Sequence, residues 1–416
     1  MASGAFSNSA TNHPGTNHAL APRMAAIAFV SYNMALASLY GTYGLLIGPI
    51  EAKLGVTRDL SSLGIPLAML TISMTAPVAG VLAGKVSIRL LMMVGALMMA
   101  AGFAVAAAAG TITIFLAAYA LLLGPGLCLS ATILPSTLVT RWFNVNRGRA
   151  LGIVNMPILA VGLPPLAALV LRDHGLSTTY YMLATLMVVL LVPLLFVVDY
   201  PPSTIDPTGE DVAAEAAADP GMRIGELLRS IRFWTLTLGY ATIVSGTTII
   251  ASHLVPMVVG WGIDPTKAGT LLAISAAGGM AGSVIFGWVA DRIGGALTLT
   301  MLAANGAILW AIMLLQPPYA ALLVVVALLG LNGSSVATAM GMALSQRFGQ
   351  ASFGRAFGLS NLVSLPFMVL GAPIAGHLYV LTGSYTVAVI GLIGLLLVGA
   401  LAAAAGRRAQ PMPVAA

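Results

Sequence analysis

Gly148-Arg149-Ala150-Leu151-Gly152-Ile153-Val154-Asn155 is answered 206 positions later by Gly354-Arg355-Ala356-Phe357-Gly358-Leu359-Ser360-Asn361. The same shift takes Gly124 to Gly330, Ala131 to Ala337, Thr132 to Thr338 and Arg141 to Arg347. In so biased a sequence, chance supplies several Gly and Ala matches. It rarely adds two arginines and an asparagine in the same register. The chain is therefore read as an internal duplication, two similar halves each built on one plan.

The composition says what those halves are dissolved in. Of the 416 residues, 59% are apolar and only 7% charged, whereas soluble domains carry about 25% charged residues. Most of the surface must face lipid. About 20 mainly apolar residues cross the ~30 Å of hydrocarbon, and twelve stretches meet this, near 24–50, 61–84, 88–109, 112–140, 149–171, 177–198, 233–260, 266–290, 296–315, 319–345, 354–381 and 385–405. They must be helices, because each backbone polar group has to be satisfied within the bilayer. With both ends on one side, only Lys53, Arg58, Arg172 and Lys267 of the eighteen basic residues fall on the other. That bias predicts cytoplasmic termini. It also accounts for the net charge of +6 without a nucleic-acid partner.

The only long polar stretch, about Asp199 to Ser230, divides the spans six and six. The expected organisation is a cytoplasmic tail over 1–22, a six-helix bundle over 23–199, a linker over 200–230, a second bundle over 231–406 and a tail over 407–416. The first 22 residues lack the charged start and apolar core of a secretory signal. A lone cysteine, Cys128, makes a disulfide framework impossible.

Between the expected eighth and ninth spans the chain reads Gly287-Trp288-Val289-Ala290-Asp291-Arg292-Ile293-Gly294. This resembles the loop signature of the major facilitator superfamily, G-x-x-x-D-R-x-G. The first half answers at an offset of 207 with Gly80, Lys85 and Arg89, but has Gly84 where the Asp would stand. A finer resemblance, to the branch holding monocarboxylate porters and bacterial oxalate/formate exchangers, is carried by three stretches. These are Tyr43-Gly44 through Leu54-Gly55-Val56-Thr57-Arg58, Arg141-Trp142-Phe143 with the Arg147–Ile153 run, and Phe233-Trp234. The resemblance implies two pseudo-symmetric six-helix bundles that rock around a central site. It further implies small organic carboxylates as substrates, moved with a proton or by exchange across a bacterial inner membrane. Members of that branch often carry an Arg mid-way along helix 8. Here the region reads Gly278-Gly279-Met280-Ala281-Gly282-Ser283, which favours a monoanion or neutral solute over a dianion. The pairs Gly124-Pro125-Gly126 and Gly162-Leu163-Pro164-Pro165 partly match a drug-antiporter pattern, so proton-driven drug or metabolite efflux is the runner-up.

Within this frame, helices 1, 4, 7 and 10 line the path, helped by 2, 5, 8 and 11. Candidate substrate contacts are Asn33, Tyr40 and Tyr43 on helix 1, the stripe Ser245, Thr248 and Ser252 on helix 7, Asn332 and Ser335 on helix 10, and the repeat-related Asn155 and Asn361. Interhelical hydrogen bonding is the competing use of such residues. His253 and His377 are candidate proton-coupling groups, since imidazole is the one side chain here that titrates near neutrality inside the protein. A substrate acid can equally carry its own proton. The candidate gating residues are Gly80, Lys85, Arg89, Gly287, Asp291, Arg292 and Gly294.

No phosphate-binding GxxxxGK[ST] stretch occurs, and no cofactor, metal cluster or catalytic constellation is expected. The sequence predicts a monomeric, all-α secondary transporter rather than an enzyme, working on a small monocarboxylate by proton-coupled uptake. A transport-dead membrane sensor is the rival from another class.

Overall fold

The computed structural model describes residues 18–201 and 221–408. Most of both expected tails and of the linker lies outside the described residues. The described chain is helical, and ten apolar helical runs are long enough to cross a membrane. The first four are α1 (Ala21–Leu54), α2 (Gly64–Leu82), α3 (Ile88–Ala108) and α4 (Ile112–Trp142).

The next run, Arg147–Leu194, has 48 residues, more than twice what one crossing needs. It doubles back at Gly175, where φ is 78° and ψ is 178°, a conformation essentially restricted to glycine. It therefore holds two crossings, α5 (147–174) and α6 (176–194). Then follow α7 (Ile231–Gly260), α8 (Thr266–Ile293) and α9 (Gly295–Leu314). The 64-residue run Tyr319–Thr382 folds at Gly349, with φ 74° and ψ 174°, into α10 (319–348) and α11 (350–382). Last comes α12 (Thr386–Gly406). The chain is a multi-pass integral membrane protein, and among the described residues its twelve crossings match the expected spans.

Three helices depart from regular geometry. Helix α1 contains a π-helical turn over Ala37–Gly41, and α4 contains two, over Tyr119–Leu123 and Cys128–Thr132. Such turns shift the facing of side chains and often mark functional segments. Helix α5 is interrupted outright, helical over Arg147–Val154 and again from Leu159.

The duplicated Gly-Arg-Ala-x-Gly stretch has a structural purpose. Gly148 and Gly152 are four apart, hence on one face of α5, and a Cβ at either would strike the backbone of Gly287 or Ser283 on α8. On α11, Gly358 does the same against Ala76 of α2, and a Cβ at Gly80 of α2 would strike the Gly354 backbone. The repeat thus supplies two equivalent glycine contacts that bring the halves together, the close approach small residues allow in membranes. Both contacts lie on the face where the linker joins the bundles. On the other half of the same helices, Gly162 of α5 and Gly269 of α8 have open space where a Cβ would go. Correspondingly, α8 packs closely on residues 147–154 of α5 and not on the segment past the interruption. The halves meet at the linker face and part toward the opposite one.

A central chamber and its neighbour

A chamber of about 230 Å³ lies between the halves, with walls from α1, α4, α5, α7, α10 and α11. Its polar groups are Tyr32, Thr132, Ser136, Asn155, Tyr240, Ser334 and Asn361, and its apolar ones include Leu36, Pro157 and Phe357. Asn155 and Asn361, the last residues of the duplicated stretch, face the same space. Tyr240 extends its hydroxyl toward Asn361 Oδ1 at 3.4 Å, and Asn361 Nδ2 donates to the Phe357 carbonyl at 2.9 Å. Every lining group is uncharged at neutral pH, and each of the polar ones can donate and accept hydrogen bonds.

A second chamber of about 350 Å³ adjoins it between α7, α8 and α10. Thr247, Ile250, Ala251, Leu272, Ser275, Ala276, Leu329 and Gly330 line it, and Gly333 and Ser334 border both spaces. Here the glycines of α8 matter. Gly278 and Gly282 let α8 close onto the Ala327 and Leu331 carbonyls of α10, and Gly330 in turn meets the Ser275 backbone.

The expected substrate contacts divide. Asn155 and Asn361 line the central chamber. Asn33 is fully buried and holds the interruption of α5: its Nδ2 donates to the Phe29 and Met156 carbonyls at 3.1 and 3.0 Å, and its Oδ1 accepts from the Leu159 amide at 3.0 Å. Tyr43 spans to the α2 entry, donating to the Ser61 carbonyl and accepting from the Gly64 amide. Tyr40 sits half-buried in the π turn of α1, outside the lining of either chamber. Ser245 and Thr248 pack at Gly371 of α11, and Ser252 is exposed. Asn332 turns into its own bundle, donating to the Leu302 carbonyl and accepting from Asn305, both at 3.0 Å, while Ser335 donates to the Leu331 carbonyl. His253 is wedged between the Ala372 carbonyl at 2.8 Å and the Tyr385 hydroxyl at 3.2 Å. His377 is exposed.

Sequence reasoning missed Tyr32, Tyr240, Thr132, Ser136, Thr247 and Ser334. The available signal was positional: Tyr32 and Tyr240 lie 208 apart, within two residues of the repeat offset.

At the linker face the signature loop forms an inter-bundle clasp. The Asp291 carboxylate accepts from the Gly148 amide at 2.6 Å and the Arg149 amide at 2.9 Å, with the Arg149 guanidinium 3.9 Å away. An anion there meets the positive end of the α5 dipole. Gly287 makes the crossing possible, Arg292 stacks 3.8 Å over the Trp288 ring, and Gly294, with φ 87°, ends α8. In the equivalent place on α2, Gly84 leaves room for the Arg355 side chain, which donates to the Met222 carbonyl at 3.0 Å. The clasp on this side therefore includes Gly80 against α11 and the Arg355 contact to Met222. Lys85 and Arg89 are exposed, and the Arg89 amide helps bind Asp199.

The family model for the Major Facilitator Superfamily matches residues 25–364 and again 236–415. Bovine (Bos taurus) monocarboxylate transporter 13 is 27% identical over 78% of this chain and 75% of its own length. The oxalate:formate antiporter of Oxalobacter formigenes is 24% identical over 65% of this chain and 64% of its own. The chain spans between 62% and 75% of the length of the curated relatives it matches. Among solved structures, the E. coli fucose:proton symporter FucP superposes with a TM-score of 0.71 over 94% of this chain and 98% of its own, at 15% identity.

Proposed function

This chain belongs to the Major Facilitator Superfamily, a family of transporters and not of enzymes, and we propose that it carries a small organic monocarboxylate across the membrane by alternating access. The observation that carries this reading is the central chamber: enclosed by both bundles, polar and uncharged, with an amide from each half facing inward. An amide presents both a donor and an acceptor, which is the pattern complementary to a carboxylic acid group. The tyrosine hydroxyls add two more adjustable partners. Relatives named for monocarboxylates and for oxalate and formate support the same substrate class.

The positive-inside bias makes the linker face cytoplasmic, so the conformer described here would be open to the outside and poised for uptake. Coupling would then need no protein group in the chamber. A carboxylate loaded together with a proton is a neutral acid and suits an uncharged site, which would otherwise hold a bare anion without a counter-ion. Efflux of a cationic drug is less well supported, because neither chamber lining includes Asp or Glu.

Counterflow in proteoliposomes tests this. Protein-dependent exchange of labelled short-chain monocarboxylates, stimulated by external acid, is the expected result. Exchange of lipophilic cations with no response to any acid would overturn the reading.

A further inference from the structure

The second chamber deepens that reading, on which it rests in part. We propose that the space between α7, α8 and α10 is the subsite for the hydrocarbon portion of the solute, making the substrate an amphipathic acid with a chain of several carbons or a ring. It adjoins the central chamber, with Gly333 and Ser334 bordering both. A molecule whose acid group is held by Asn155, Asn361 and the tyrosines would extend its tail there past Gly333 and the Ser334 hydroxyl. The walls are mostly apolar: Ile250, Ala251, Leu272, Ala276 and Leu329 dominate the lining. At about 350 Å³ the space falls in the ~300–1,000 Å³ range of small-molecule sites. A one- or two-carbon acid would leave it filled only with water.

Gly333 has a second part in this. A Cβ there would lie 2.6 Å from the Thr247 side chain. Glycine therefore lets α10 lie close against Thr247 of α7 where the two spaces adjoin. Ala251 and Ala276 are exposed on opposite walls, where larger side chains would fill the chamber without entering the packed contact of α8 on α10.

The test is a chain-length series, acetate to octanoate, with the matching amides, measured by thermal stabilisation and by competition in counterflow. In the unsubstituted protein each added methylene should tighten binding about fourfold until the chamber is full. Ala276→Leu should abolish that increment, weakening octanoate at least tenfold relative to acetate. Ala251→Leu repeats the test from the other wall should the first variant fold poorly. A flat chain-length series in the unsubstituted protein, or equal losses for acetate and octanoate in both variants, would overturn the proposal. The amides separate it from the broader reading. If amides show the slope and acids do not bind, the tail subsite stands and the carboxylate assignment falls. If acids bind with no slope in either series, the reverse holds.

Discussion

Gln350 donates from Nε2 to Asn144 Oδ1 at 3.2 Å, and these two residues are 206 apart, the offset that relates the halves. Two equivalent positions touch, so the pseudo-twofold axis passes between them where the α4–α5 and α10–α11 connections meet. This contact can exist only while the linker face is closed. Replacing both residues with cysteine should give a pair that oxidation or a short bis-maleimide joins, locking the closed face. Transport should fall to background on cross-linking and recover on reduction of the oxidised pair. The buried Cys128 gives little competing reaction. Full activity after complete cross-linking would show that this face need not open.

Asp291 should set the balance between the two conformations. Its carboxylate is largely buried and bound by two amides at the start of α5, and charge-assisted hydrogen bonds contribute roughly 1.5–3 kcal/mol each in favourable settings. In Asp291→Asn the charge is lost and only one of the two amides keeps an acceptor, because the new Nδ2 donates. A loss of about 1–2 kcal/mol is expected, shifting the equilibrium toward an open linker face by roughly 5–30-fold. The Asn144–Gln350 cysteine pair reads this directly, as slower cross-linking. Gly84→Ala acts differently, crowding the Arg355 side chain without removing a charge.

Asn33 and Asn361 separate a structural amide from a substrate-facing one. In Asn33→Leu the Leu159 amide loses its Asn33 partner inside the membrane, a cost of about 1–3 kcal/mol, while the Met156 carbonyl keeps the Ile158 amide. The unfolding temperature in detergent should drop, and the chamber should distort through Asn155. Asn361→Leu removes a group that faces the chamber and bonds only its own helix and Tyr240. Stability should change by about 0.5 kcal/mol or less, while substrate KM rises. Equal destabilisation in the two variants would remove the distinction.

The fold was legible in the sequence almost throughout, because the bilayer imposes span lengths and the duplication fixes how spans pair. The site was legible only in part, and the misses share one cause. Consecutive helical residues point about 100° apart, so a polar residue one position away from the lining faces another helix. Asn33 was the obvious candidate on α1, yet its neighbour Tyr32 faces the chamber and Asn33 holds α5. On α10 the expected Asn332 and Ser335 turn away, while Gly333 and Ser334, between them, line it. On α7, Thr248 gave way to Thr247. Hydropathy ranks such neighbours by polarity, but their facing depends on helix rotation, which the π turns of α1 and α4 and the interruption of α5 alter locally. Asn155 and Asn361 were found because the duplication marked them twice.

The pH dependence of transport should follow the substrate and not His253. Both ring nitrogens of His253 are engaged, with Ala372 and Tyr385, and neither chamber lining includes it. An aliphatic acid titrates near 4.3, as a glutamate side chain does, so between pH 6 and pH 7 its neutral fraction falls about tenfold. If the acid is loaded with its proton, uptake at sub-saturating concentration should drop by about that factor across the interval. His253→Gln, which can still donate to the Ala372 carbonyl, should keep the slope and lose only some stability. A group on the protein that carried the proton would behave differently: the profile would level off near that group's own pKa and flatten in the variant. Measuring initial uptake of one acid at pH 6 and pH 7 in both proteins decides between the two. A profile flattened by His253→Gln would return the histidine to the coupling step.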